Sequence, residues 1–195
     1  MISDNVMGAD NQQERLDKKW IVGFVDGEGC FHVSINKIKK MKLGWQVLPE
    51  FRVVQHENDS KVLYMIQEYF GFGQVTQNRS DHHGVRLEYR VRGMDNLNRI
   101  VDFFSVNSLQ TPSKSRNFIL FSKIIEMMNQ KLHLNEEGLR EIALLVSEMN
   151  TRPRIRYLES SETTRRTSLS KDEDIVRPSW RHEEVVRNNN PPSNL

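Results

Sequence analysis

A single cysteine, Cys30, stands in 195 residues, so no intrachain disulfide can form and a cysteine-rich metal module is excluded. Long apolar runs are missing too. Nothing approaches the roughly 18 consecutive apolar residues that span a bilayer, which excludes an integral helical membrane protein. Residues 1–19 lack both the apolar stretch of a secretory signal and the Arg-rich look of a transit peptide, and the protein is expected to be intracellular. The sequons Asn58-Asp59-Ser60 and Asn78-Arg79-Ser80 are then chance matches. A strong net charge is also absent: 28 basic against 26 acidic residues leave +2. The distribution says more than the sum. Residues 1–150 hold 19 basic and 19 acidic side chains, but residues 30–93 hold 10 against 6, a local excess of +4.

That basic stretch is where strands are expected. Before it, residues 19–29 form an apolar segment that ends in glycine and carboxylate, predicting a short buried helix that Gly29 stops. Residues 31–36 alternate apolar and polar with period two, a half-buried strand. A basic turn over 38–44 leads to a second strand, 45–55, with Trp45, Val47, Phe51 and Val53 on one parity and Gln46, Glu50 and Arg52 on the other. Helical spacing returns over 59–70 and breaks at Gly71-Phe72-Gly73. A second hairpin pairs 74–78 with 85–92, whose alternation sets Val85, Leu87, Tyr89 and Val91 inward and Arg86, Glu88, Arg90 and Arg92 outward. Helices follow over 94–104, 115–130 and 135–150, the last capped by Asn135 with Glu136 and Glu137 at its positive end.

After Thr151 apolar residues become isolated among Arg, Ser, Thr, Glu, Asn and Pro. The expected organisation is an N-terminal extension (1–17), one domain (18–152) and a polar tail (153–195) expected to be disordered, with Arg152–Arg156 across that boundary a candidate basic arm. The domain is α+β: helices cover one face of a four-stranded antiparallel sheet, and the other face carries polar and basic side chains. Such a ribbon suits a DNA major groove.

Two features of the first helix call for an explanation. Gly23 and Gly27 lie four apart on one face, although each glycine costs a helix interior roughly 1 kcal/mol. They admit either close packing on the chain's own sheet or a seam with another helix. Glu28 emerges at the helix end, where it and main-chain carbonyls, Gly27's among them, make a negative site for a hard cation such as Mg²⁺.

Ile21-Val22-Gly23-Phe24-Val25-Asp26-Gly27-Glu28-Gly29 resembles the nine-residue motif of the LAGLIDADG homing endonucleases, and the similarity extends over residues 18–150 in the order αββαββα. The resemblance implies that motif helices pack in pairs on Gly23 and Gly27, with Asp26 helping to hold the pair. It implies that Glu28 is the metal-binding catalytic acid. Phe51-Arg52-Val53-Val54-Gln55 resembles the end of the family's second strand, which makes Gln55 the residue that orders the attacking water. Thr111-Pro112-Ser113-Lys114-Ser115-Arg116 takes the place of the family's phosphate-facing lysine, with Lys114 the best match and Arg116 the runner-up. His56-Glu57-Asn58-Asp59 offers no arginine where many relatives carry a basic residue.

The chain holds one copy of the motif, and one copy supplies half of a two-carboxylate site. The resemblance therefore implies a homodimer on a pseudo-palindromic double-stranded DNA target, cleaving with Mg²⁺, or another divalent cation such as Mn²⁺, to leave short 3′ overhangs. Neither a membrane nor a small-molecule substrate is expected. Family resemblance points to an intron-encoded enzyme of an organelle, chloroplast or mitochondrion. The rival reading is a cleavage-inactive binding protein, such as an intron-RNA maturase or a DNA-binding regulator. The expected DNA-reading side chains are His32, Ser34 and Asn36; Gln46, Glu50 and Arg52; Thr76 and Asn78; and Arg86, Glu88 and Arg90, with Arg116 beside the phosphates. The histidines at 82 and 83 are expected to be polar tip residues, and Cys30 no nucleophile.

Overall fold

The computed structural model describes residues 16–82, 84–149 and 156–158. Helix α1 (Lys18–Glu28) begins at Asp17, whose carboxylate accepts from the Lys19 N–H at 3.4 Å, and buries Ile21, Val22 and Val25. Strand β1 (Gly29–Lys37) starts at the next residue and pairs antiparallel with β2 (Trp45–His56). A 3₁₀ turn (Glu57–Asp59) leads to α2 (Lys61–Phe70), which closes on Gly71 at φ 71°, the left-handed conformation that glycine adopts without strain. Strands β3 (Gln74–Asp81) and β4 (Gly84–Val91) form the second hairpin. Helices α3 (Met94–Val106), α4 (Pro112–Asn129) and α5 (Glu136–Glu148) complete the chain.

The sheet order is β1-β2-β4-β3, antiparallel throughout, and the fold is α+β as expected. Period-two alternation sends Phe31, Val33, Val47, Phe51, Val53, Tyr89 and Val91 into the core. Phe31 shows how the layers lock: its ring meets Phe51 of β2, Phe104 of α3, and Phe118 and Phe121 of α4, all with centroids 5.3–5.6 Å away. Asn135 caps α5 as read from the sequence, its side chain accepting from the Gly138 N–H at 2.8 Å.

Three expectations change in detail. Helix α1 is buried on one face only; Trp20, Gly23, Gly27 and Glu28 are exposed on the others. Gly29 ends the helix in an extended conformation, φ −72°, and glycine is needed there for room: an added Cβ would come within 2.5 Å of Val25 Cγ1 and 2.8 Å of Val25 O. Within the tail expected from 153, Arg156–Leu158 form a helical turn whose Tyr157 ring sits edge-on against Trp45 at 5.5 Å. The rest of that tail, residues 1–15 and His83 lie outside the described residues.

Candidate active site

The junction of α1 and β1 gathers the chemistry. Glu28, the last residue of α1, is exposed. Lys114, third residue of α4, donates its Nζ to the carbonyl of Gly29, next in sequence to that acid. Gln55 comes in from β2. Gly29 pairs with Val53, and Gln55 lies two strand residues farther on, roughly 7 Å along the strand at about 3.4 Å per residue. It shares the parity of Phe51 and Val53 and is half-buried, so it belongs to the helix side of the sheet. Arg116 instead reaches Glu148 of α5 at 3.4 Å, an exposed ion pair that leaves Lys114 as the cation on the junction.

Asp26 is spent within the chain. Its Oδ2 accepts from the Gln110 N–H at 2.7 Å, and its Oδ1 accepts from the Thr111 N–H at 3.1 Å and the Thr111 hydroxyl at 2.9 Å. Within the chain, the Asp26 carboxylate clasps α1 to the entry of α4 and so sets where Lys114 begins its reach. Thr111, which precedes α4 at its N-cap, turns its hydroxyl to this clasp and caps no N–H of its own helix.

The exposed stripe of α1 is bare. A Cβ added to Gly23 or Gly27 would meet nothing within 4 Å. Beside them Trp20, 42% exposed, stacks on Phe24 with centroids 4.8 Å apart and planes 15° off parallel. Trp20 and Phe24 are not among the residues singled out from the sequence, although their positions relative to Gly27 (i, i+4, i+7) trace one helical stripe. Among the described residues no three His, Cys, Asp or Glu side chains converge. One chain therefore presents one carboxylate and nearby carbonyl oxygens.

The face away from the helices carries the expected readers, with one correction. His32, Ser34, Asn36, Gln46, Arg52, Arg86 and Arg90 alternate with core residues, and Thr76 and Asn78 are exposed on β3, where a bulge between Gln77 and Arg79 shifts the register. Asn36 Nδ2 donates to Ser34 Oγ at 3.2 Å, and Ser34 Oγ lies 3.5 Å from Leu48 O. Glu50 and Glu88 occupy this face but are not open to a base. They are 5% and 0% exposed because arginines lie over them. Glu88 takes Arg90 Nη2 and Asn78 Nδ2, the latter at 2.8 Å. Glu50 takes Arg52 and Arg92 at 3.2 and 2.7 Å. Arg92 is an added member, sitting one residue beyond β4 and outside the set expected to read DNA. With Arg90, Gln74, Thr76 and Asn96 it lines a polar recess of about 310 Å³. His32, across the ladder from Glu50, has its pKa lowered by burial first and by the Arg52 charge second, against an opposing pull from Glu50.

Comparison with known proteins shows the family. Residues 21–125 match the model of the LAGLIDADG endonuclease family. The probable intron-encoded endonuclease 3 of Neurospora crassa is 31% identical over 129 residues, which is 66% of this chain and 24% of that protein. The crystal structure of the homing endonuclease I-TnaI superposes with a TM-score of 0.70 at 43% identity, covering 76% of this chain and 98% of that one. I-SmaMI, bound to an uncleaved DNA target in the presence of calcium ions, superposes with a TM-score of 0.70 at 31% identity over 76% of this chain and 49% of its own. This chain thus spans about a quarter of the Neurospora protein and about half of I-SmaMI. The match covers both the motif helix and the sheet built on it, and the chain belongs to the LAGLIDADG endonuclease family.

Proposed function

We propose that the chain is a site-specific, double-strand DNA endonuclease that works as a homodimer on a long pseudo-palindromic target, as an intron-homing enzyme of an organelle. The observation that carries this reading is the junction itself: an exposed Glu28, Lys114 drawn onto Gly29 O, and Gln55 at the end of the neighbouring strand. A pure binder has no use for that acid beside that cation. The bare α1 stripe supplies the reason for two copies, because a symmetric contact on Gly23 and Gly27 brings the two Glu28 carboxylates together.

The donor set fits a hard divalent cation: carboxylate oxygen from Glu28 and carbonyl oxygen from Gly27. When bound, Mg²⁺ or Mn²⁺ supplies Lewis-acid stabilisation of charge on the phosphate and a more acidic water. The chain does the rest. Lys114, positioned by the Asp26 clasp, places a positive charge where the pentavalent phosphate gathers negative charge. Gln55 orients the attacking water through its amide, the 3′ oxygen leaves in line as a hydroxyl with the phosphate kept on the 5′ end, and two cuts staggered across the minor groove leave short 3′ overhangs. The arginine-bearing sheet face holds the duplex through phosphates and base edges.

The test is to incubate the purified chain with Mg²⁺ and a duplex joining the sequences that flank its reading frame, beside Glu28→Gln. The wild type should cut both strands, while the variant binds equally and does not cut. Tight binding without nicking by the wild type would reject the enzyme reading in favour of a binding protein.

A further inference from the structure

The sheet's reading face contains an arrangement that alternation alone would forbid. The ladder sets Arg52 directly opposite Arg90, and Arg92, one residue beyond β4, reaches back to Glu50. Like charges facing each other across strands are destabilising, and an isolated buried carboxylate is costly. Here each difficulty resolves the other. Glu50, 7% exposed at its side chain, lies 3.2 Å from Arg52 Nε through Oε1. Its Oε2 takes Arg92 twice, accepting from Nε at 2.8 Å and lying 2.7 Å from Nη2. Arg90 Nε stands 4.0 Å from the same Oε2, while its Nη2 is held by Glu88, which Asn78 fixes from the other side.

The edge used matters more than the pairing. A guanidinium has two forks: a side fork made by Nε and one Nη, and an end fork made by the two Nη atoms. Glu50 accepts a hydrogen bond on the Nε side of Arg92 and lies at ion-pair distance from Arg52 Nε, which makes no hydrogen bond, and the Nη1 atom of neither arginine has a partner among the described residues. The arginines are 25% and 47% exposed over a carboxylate that is almost wholly covered. Each end fork is therefore left for solvent or ligand, and it is the shape that pairs with O6 and N7 of guanine.

We propose that Glu50 is a positioning residue for base recognition: it grips the Nε side of Arg92 by hydrogen bonds, holds Arg52 beside it by charge, and presents their end forks to guanines in the target. This rests on the endonuclease reading for the existence of a specific duplex target. The ordering entropy of two long side chains is then met by folding and not by binding, which raises discrimination between right and wrong bases. Glu50 contacts no base itself. Loss of its charge should leave the arginines able to hold phosphate but no longer fixed in register.

The experiment compares wild type, Glu50→Gln and Arg92→Lys in the full chain. Each is selected against a randomised duplex library, and the Nε–H resonances of arginine are followed in the DNA-free protein. Wild type should enrich a symmetric site with guanine at fixed positions and should show a shifted, slowly exchanging Nε–H signal for Arg92. In Glu50→Gln that signal should move to the bulk-arginine position. Discrimination should fall roughly five- to a hundredfold at the guanine positions alone, with binding to random duplex unchanged or tighter. Arg92→Lys keeps the charge without the forks and sits at a half-exposed position the fold tolerates; it should lose its own guanine and no other. An unmoved Nε–H signal, an unchanged selection profile or a uniform loss at every position would each overturn the proposal. A wild type that enriches no sequence, while its Nε–H signal is still shifted, would overturn the DNA-target reading itself and with it the recognition role.

Discussion

Replacing Asp26 with alanine removes one carboxylate that accepts three hydrogen bonds from a segment 84 residues away in sequence. The acceptors are partly solvated, so water takes over some of the lost bonding. At a net ~0.5–1 kcal/mol for each of three bonds the loss is about 2 kcal/mol. For a domain of this size that lowers Tm by about 4–8 °C. Asp26→Asn should fall between, because its amide keeps one acceptor oxygen and turns an N–H₂ toward a main-chain N–H. The functional consequence is larger than the thermal one. Freed at its start, α4 lets Lys114 drift from Gly29, and a shift of about 1 Å in a catalytic group costs on the order of 10² in rate. Scanning calorimetry, filter binding and single-turnover cleavage on one preparation separate the effects: lower Tm, near-unchanged affinity for target, slowed strand cutting. An Asp26→Ala protein with unaltered Tm and full cleavage rate would refute the clasp. A variant that melts normally but no longer dimerises would show that the carboxylate works across the seam after all.

Other perturbations test separate parts of the structure. A Cβ added at Gly23 meets nothing within 4 Å, so Gly23→Leu should let the protomer melt as before while sedimentation shows monomer; an intact dimer would reject the α1 seam. Gly29→Ala drives a methyl into Val25 and should cost about 1–3 kcal/mol by overpacking, visible as a lower denaturation midpoint at unchanged slope; no loss would contradict the close approach. His32 should titrate below 6.5 by NMR. Because the unfolded chain takes up that proton first, its contribution to stability is complete above pH 6.5 and is lost as pH falls below it. Arg52→Gln should raise the His32 midpoint and Glu50→Gln should lower it; the opposite order would mean the three side chains do not share one field.

The order of elements was legible because each strand carries a period of two and each helix a period near 3.6, and these periods depend only on neighbours in sequence. Asn135 belonged to the same class: a cap acts three residues away. Glu50 and Glu88 show where that legibility ends. Alternation placed them correctly on the face away from the core, but which side chain lies over a residue is decided by cross-strand register, here Arg52 against Arg90. An outward position was therefore taken as an open one. The clasp made by Asp26 is hidden from the sequence for a related reason. Its partners lie at 110–111, and no local pattern announces a contact between a helix end and a turn so far downstream. Gly29 was recognised as a stop but for a different cause, since a glycine needed for room and one needed for positive φ look alike in sequence.

Helix α1 ends at Glu28 and β1 begins at Gly29, with no residue between them. A joint without a loop has almost no freedom to swing, and two contacts tie it to the start of α4: Asp26 with Gln110 and Thr111, and Lys114 with Gly29. In the proposed dimer, the scissile position is set by α1 and the bases read are set by β1 and its neighbours. The distance from cut to first contacted base is then a fixed length of the protein, like the offset between a blade and its guide. Insertions at the hairpin tips could move outer contacts along the duplex without disturbing the cut. A single residue inserted at 28–29 would move the cut relative to everything the sheet reads.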